Sequence, residues 1–144
     1  MKQQRPSDPS SPPIVVDAAL YERLRAIADA ATPNAPDVAE RLLEEIERAE
    51  IVPSDAMPDD VVTIGSIVTY RDVETGSTRT IELVWPGDAD PRQQRFSVVS
   101  PIGAALIGLT IGQTMSWQVR EGERRQLTVL NVSTRERMSA APGV

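Results

Sequence analysis

The stretch Ser100-Pro101-Ile102-Gly103-Ala104-Ala105-Leu106-Ile107-Gly108, with Gly112 four residues later, is typical of a short helix between two stop signals. A serine favours the position before a helix, because its hydroxyl accepts a hydrogen bond from a free backbone N–H. Proline suits the first helical position, where its missing N–H removes no hydrogen bond, and glycine often ends a helix. The stretch therefore predicts a helix that begins at Pro101 and ends at Gly108.

Segments with alternating apolar residues lie on both sides of this helix, and such alternation is typical of strands. The predicted strands cover residues 62–70, 78–85, 95–99, 114–120 and 126–132. Residues 72–77 and 121–123 have the glycine and polar content of turns. The sequence therefore predicts an antiparallel sheet domain with one short helix over residues 62–132, in an α+β fold.

Two helical segments precede the sheet. Residues 17–31 and 36–50 each repeat apolar residues on one helical face. Asp17 is the predicted N-cap of the first helix, and Asn34 is the predicted N-cap of the second, with Asp37 in an approximate capping box. These segments predict an antiparallel helical hairpin, a short coiled coil, over residues 14–52. A linker rich in proline and aspartate follows over residues 53–61.

The composition excludes several classes of function. The formal net charge is −6, which disfavours direct binding to nucleic acid. Without cysteine or histidine the chain has no disulfide framework, structural zinc site or thiol catalyst. No segment is apolar enough for a membrane span, so we expect a cytoplasmic protein. Residues 1–13 and 133–144 have the composition of disordered tails.

The order of these elements, a helical hairpin, a linker and then β-β-β-α-β-β, resembles the Gre-type transcription elongation factors. The segment from Ser100 to Gly108, with Gly112, resembles their C-terminal domain. The segment Met57-Pro58-Asp59-Asp60-Val61-Val62-Thr63-Ile64-Gly65-Ser66 resembles the interdomain junction of the Rnk branch of that family. The resemblance implies an FKBP-like sheet domain behind an N-terminal coiled coil.

The resemblance also implies a partner, bacterial RNA polymerase, bound at the rim of its secondary channel. The contact in Gre factors lies at a strand end and helix start, which here corresponds to Val99, Ser100, Pro101, Ile102 and Gly103. Some family members have an acidic residue where this chain has Val99. We expect Gly103 to permit a close backbone approach, because it lacks a side chain.

The predicted hairpin tip consists of Thr32, Pro33, Asn34, Ala35, Pro36 and Asp37. In Gre factors, two acidic residues at this tip hold a magnesium ion and stimulate transcript cleavage. Here residues 32–36 contain no carboxylate, and Asp29 and Asp37 lie one on each flank. The helices are also shorter than the Gre pattern, at about 20 Å each. We therefore predict a monomeric channel-binding competitor of Gre factors that is not an enzyme and needs no metal or cofactor.

Two alternatives remain open. An FKBP-like domain suggests a peptidyl-prolyl isomerase, which needs an aromatic pocket for proline. Trp85, Phe96 and Trp117 look too few and too scattered for such a pocket, and the two tryptophans are expected in the core. The name of the Rnk branch, regulator of nucleoside diphosphate kinase, suggests instead a protein–protein regulator of that kinase which does not bind polymerase.

Overall fold

The computed structural model describes residues 12–120 and 123–134. This part of the chain contains three α-helices and seven strands. In chain order they are β1 Val15–Asp17, α1 Ala18–Ala31, α2 Pro36–Glu47, β2 Glu50–Val52, β3 Ser66–Asp72, β4 Thr78–Val84, β5 Arg95–Ser97, α3 Pro101–Leu106, β6 Thr114–Arg120 and β7 Glu123–Thr134. The predicted α+β fold, a helical hairpin followed by a sheet with one short helix, is confirmed.

The main sheet has the strand order β5-β4-β3-β7-β6. Neighbouring strands are antiparallel except for β4 and β5, which pair in parallel, with Leu83 opposite Phe96. The prediction of a wholly antiparallel sheet is therefore wrong at this edge. The connection between the two strands folds back along the last residues of β4, so that β5 begins beside Glu82 and runs in the same direction.

The hairpin differs from its prediction at two places and agrees with it at a third. Helix α2 ends at Glu47 instead of residue 50, because Glu50–Val52 pairs in parallel with Val15–Asp17 as the ribbon β1–β2. The N-cap of α2 is Ala35, without a side-chain hydrogen bond, so the predicted cap by Asn34 is wrong. The predicted cap by Asp17 is confirmed, since its carboxylate accepts from the N–H of Ala19 at 2.9 Å.

Strand β3 begins at Ser66 rather than at residue 62. Val62 instead exchanges two backbone hydrogen bonds with the segment after α3, through Leu109 and Gly108, both at 2.8 Å. Strand β7 continues to Thr134, so the predicted C-terminal tail begins two residues too early. The predicted tails at residues 1–11 and 135–144, and the turn residues 121 and 122, lie outside the described residues.

One hydrophobic core joins the hairpin to the sheet. Helix α3 packs on β5 and β6, α2 packs on α1 and α3, and the apolar side chains of all three helices form a single cluster with those of the strands. A contiguous core of this kind behaves as one cooperative unit. Its largest fully buried side chains include Leu24, Leu42, Ile46, Ile81, Leu83, Leu106, Met115 and Leu127.

Polar contacts hold the hairpin against the rest of the protein. The N–H of Val15 donates to the carbonyl of Gly108 at 3.1 Å, and a guanidinium nitrogen of Arg41 donates to the carbonyl of Ser116 at 2.7 Å. A Cβ on Gly108 would lie 2.7 Å from Cβ of Ile14, so the two segments touch at a position where only glycine fits. The direction of the hairpin is therefore set by the sheet. None of the helices described is long and apolar enough to cross a membrane.

Candidate functional site

The start of helix α3 is held by its capping serine. Ser100 Oγ accepts a hydrogen bond from the N–H of Gly103 at 3.1 Å and donates one to the carbonyl of Ser97 at 2.7 Å. The N–H of Val99 donates to Ser97 Oγ at 3.0 Å. These bonds join the end of β5 to the first turn of α3. The predicted cap and the predicted position of Pro101 at the first helical residue are confirmed.

The predicted docking element, residues 99–103, contains both exposed and buried residues. Pro101 is exposed, Val99 and Ser100 are half-buried, and Ile102 and Gly103 are buried. The close backbone approach expected at Gly103 is made by the chain itself, because a Cβ there would lie 2.0 Å from the carbonyl oxygen of Ser97. The absence of a side chain at Gly103 therefore lets α3 pack directly against the end of β5. Pro101 is the residue of the predicted docking element that is exposed to solvent.

A cleft of about 200 Å³ opens beside this helix start. Tyr70, Phe96 and Trp117 form its aromatic walls, and α3 contributes Ser100, Pro101 and Ile102. The expectation that Phe96 and Trp117 are too scattered to share a pocket is therefore wrong. Trp85 is the exception, since it lies outside the cleft lining and stacks with the guanidinium of Arg23, 4.0 Å from the ring centroid.

Arg79 is the remaining lining residue of the cleft, and sequence reasoning missed both it and Tyr70. These two residues face each other across the β3–β4 pair. Burial raises the pKa of Tyr70, and the charge and hydrogen bond of Arg79 oppose that rise. The alternation of Val68 and Tyr70 gave a signal for an inward-facing tyrosine. The position of Arg79 depends on the hairpin register, which the sequence pattern leaves open.

An ion-pair cluster lies on the sheet near the cleft. Arg125, the residue opposite Trp117 in the β6–β7 pair, donates to Asp72 at 2.9 Å and to Glu123 at 3.1 Å. The hydrogen bond from Arg125 is the main cause that lowers the pKa of the Asp72 carboxyl. The positive charge of Arg125 is thus matched by two carboxylates. Among the described lining residues, Arg79 is the one that carries a charge.

The hairpin tip is a tight turn with exposed side chains. The N–H groups of Asn34 and Ala35 both donate to the carbonyl of Ala31, at 3.0 and 2.8 Å. Asp29 and Asp37, the acidic residues on the two flanks, are both exposed. In the part of the chain that the structure describes, no cluster of three or more acidic side chains is placed to hold a metal ion.

The comparisons with known proteins match both parts of this architecture. The family described as "Transcription elongation factor, GreA/GreB, C-term" matches residues 57–134, and "Rnk N-terminus" matches residues 12–52. The solved structure of a prokaryotic transcription elongation factor GreA/GreB from Nitrosomonas europaea superposes with a TM-score of 0.67 at 30% identity. That superposition covers 85% of this chain and 98% of the other.

Curated relatives belong to the same two groups of proteins. The "Regulator of nucleoside diphosphate kinase" of Escherichia coli strain K12 is 32% identical over 123 residues, which cover 85% of this chain and 90% of that protein. The "Transcription elongation factor GreA" of Chloroflexus aggregans is 40% identical over 87 residues, or 60% of this chain and 55% of that factor. The chain therefore belongs to the Gre-type transcription elongation factor family, in its Rnk branch.

Proposed function

We propose that this protein is a transcription regulator that binds bacterial RNA polymerase and docks at the rim of the secondary channel. The observation that carries the proposal is the exposed Pro101 beside an apolar cleft, at the strand end and helix start within the segment that matches the Gre C-terminal family. A cleft of about 200 Å³ is smaller than the roughly 300–1,000 Å³ of cofactor sites, and it suits a single apolar side chain.

The length and the tip of the hairpin support the proposal that this regulator does not stimulate transcript cleavage. Its helices have 14 and 12 residues, which gives lengths of about 20 Å at ~1.5 Å per residue. Its tip, residues 32–36, has no carboxylate that could hold a catalytic magnesium ion. Catalysis of this kind depends on the exact placement of the reacting groups. A hairpin that does not reach the catalytic centre of the polymerase therefore contributes nothing to transcript cleavage. The protein then acts in the cytoplasm, as a monomer, by occupying a site that Gre factors need.

The test is binding to purified core RNA polymerase, with Pro101→Glu as the docking variant. A glutamate at the first helical position is compatible with the helix and its dipole, so this variant retains the fold. Pro91→Glu is the matched control, because Pro91 is also exposed and starts a 3-10 turn, and it lies before β5, at the opposite end of that strand from α3. We expect binding by the wild type and the control, and weak binding by Pro101→Glu. Absence of wild-type binding refutes the proposal.

Competition is measured on backtracked transcription complexes. We expect that the protein alone stimulates no transcript cleavage, and that it inhibits GreA-stimulated cleavage in proportion to its concentration. The Pro101→Glu variant should inhibit less than the Pro91→Glu control. Cleavage above background by the protein alone would contradict the role assigned to the short hairpin.

A peptidyl-prolyl isomerase is the second candidate, because Tyr70, Phe96 and Trp117 meet in one cleft of the sheet domain. A proline ring would fit such aromatic walls. An isomerisation assay with a proline tetrapeptide separates the two functions, since turnover that is lost in Trp117→Ala would favour the enzyme. A third candidate, direct regulation of nucleoside diphosphate kinase, is suggested by the name of the Escherichia coli relative. A pull-down that retains the kinase instead of polymerase would favour it.

A further inference from the structure

The cleft beside α3 combines an apolar interior with one cation. Tyr70, Phe96 and Trp117 present aromatic surface, and Ile102 is buried at the base of the helix. Arg79 lies on the same lining and is itself exposed to solvent. An apolar side chain of a partner that enters this cleft therefore places its neighbouring residues beside a guanidinium.

Among the described residues that line the cleft, Arg79 carries the charge that a partner would meet. The other nearby arginine of the sheet, Arg125, is held by Asp72 and Glu123. Tyr70, which accompanies Arg79 in the cleft, is a neutral partner whose phenol is mostly buried. Guanidinium groups bind carboxylates through two parallel hydrogen bonds and are enriched where proteins recognise acidic groups.

We infer that the cleft selects a partner segment in which a large apolar residue is adjacent to an acidic residue, with the apolar side chain between the aromatic walls and the carboxylate on Arg79. This inference rests on the proposed function for the identity of the partner, a polymerase surface segment. The chemical preference itself belongs to the cleft and can be measured without polymerase. Arg79 acts in this arrangement as a specificity residue, while the apolar walls provide most of the buried contact.

The experiment uses two capped tetrapeptides, Ala-Leu-Asp-Ala and its isosteric counterpart Ala-Leu-Asn-Ala, added at millimolar concentration to the isotope-labelled full chain. The readout is the NMR signal of the Trp117 indole N–H, which lines the cleft, and that of Trp85 is the internal control outside it. We expect the aspartate peptide to bind about three- to fivefold more tightly, which is typical of an exposed ion pair. Trp85 should not respond.

Two variants assign the preference to Arg79. Arg79→Gln should remove the difference between the peptides, and Arg79→Lys should retain part of it. Arg71→Gln is the matched control, since Arg71 is an exposed arginine of β3 that alternates with Tyr70 and lies on the opposite face of the sheet. Equal responses to both peptides in the wild type, or no response to either, would overturn the inference.

The same variants in the polymerase assay separate this inference from the proposed function. If polymerase does not bind the wild type while the peptides are still distinguished, the proposed partner is wrong and the preference of the cleft stands. If polymerase binds but the two peptides shift Trp117 equally, the inference fails and the proposed function stands. Thermal unfolding of each variant checks that the fold is intact.

Discussion

Helices α2 and α3 both begin with a proline at the first helical position, and their starts are built differently. At Pro101 the capping Ser100 makes two hydrogen bonds, and the first turn presses against β5. At Pro36 the cap is Ala35, which offers no side-chain hydrogen bond, and the surrounding tip is largely exposed. The hydrogen-bonded start of α3 fixes the position of Pro101, as the proposed docking requires. The start of α2 has no such side-chain hydrogen bond, and no catalytic role is proposed for it.

The largest expected effect is at the seat of α3. Gly103→Ala places a methyl group 2.0 Å from the Ser97 carbonyl oxygen, which is backbone and cannot rotate away. We expect this variant to lose about 2–3 kcal/mol of the free energy of unfolding, despite the better helix propensity of alanine. Urea denaturation measures the loss. Gly87→Ala is the control, because a Cβ at Gly87 meets nothing within 4 Å; an equal loss in both variants would contradict the packing argument.

A smaller difference is expected between the two caps. Ser100→Ala removes the acceptor for the N–H of Gly103 and should cost about 1 kcal/mol of stability. Asn34→Ala, at the position predicted from the sequence to cap α2, should stay within about 0.5 kcal/mol of the wild type. Thermal unfolding of the two variants side by side tests the contrast. If the asparagine variant loses as much as the serine variant, the tip is more constrained than the structure indicates.

The smallest effect comes from giving α2 the cap that it lacks. Ala35→Asp supplies a side-chain oxygen at the N-cap and a negative charge near the helix N-terminus. We expect a gain of about 0.5–1 kcal/mol in the free energy of unfolding. Ala35→Asn, which has the acceptor without the charge, should give the larger part of that gain. Destabilisation by both variants would mean that the backbone at residue 35 is set by another contact.

Local signals predict where the helices begin. The start of α3 follows from serine, proline and glycine within a few residues, and the start of α1 follows from Asp17. The end of α2 was placed three residues too late, because the periodicity of apolar residues continues while Glu50–Val52 pairs with β1. A helical pattern carries no information about a strand 35 residues earlier.

The local sequence pattern does not predict the cleft. Tyr70, Phe96 and Trp117 lie on three strands that meet only through the order β5-β4-β3-β7-β6, and on the face that α3 covers. The parallel pairing of β5 with β4, which brings in Phe96, depends on how the connection after Trp85 folds back. The docking role of Val99 to Gly103 comes from the family pattern and stays a prediction, whereas the aromatic walls and Arg79 depend on the register of the whole sheet.

The ribbon β1–β2 joins the two ends of the hairpin to the rest of the protein. The hairpin can therefore be lengthened at its tip without a change in the sheet. Helix α1 follows β1 directly and β2 follows α2, so both helices join the body of the protein at this ribbon. Inserting two helical turns into each helix near the tip would extend the reach by about 10 Å and would leave the cleft and α3 where they are. The reach of the hairpin and the shape of the cleft are therefore separate variables in this architecture. A change of a few residues at the tip would alter how far the hairpin projects without altering the surface proposed for docking.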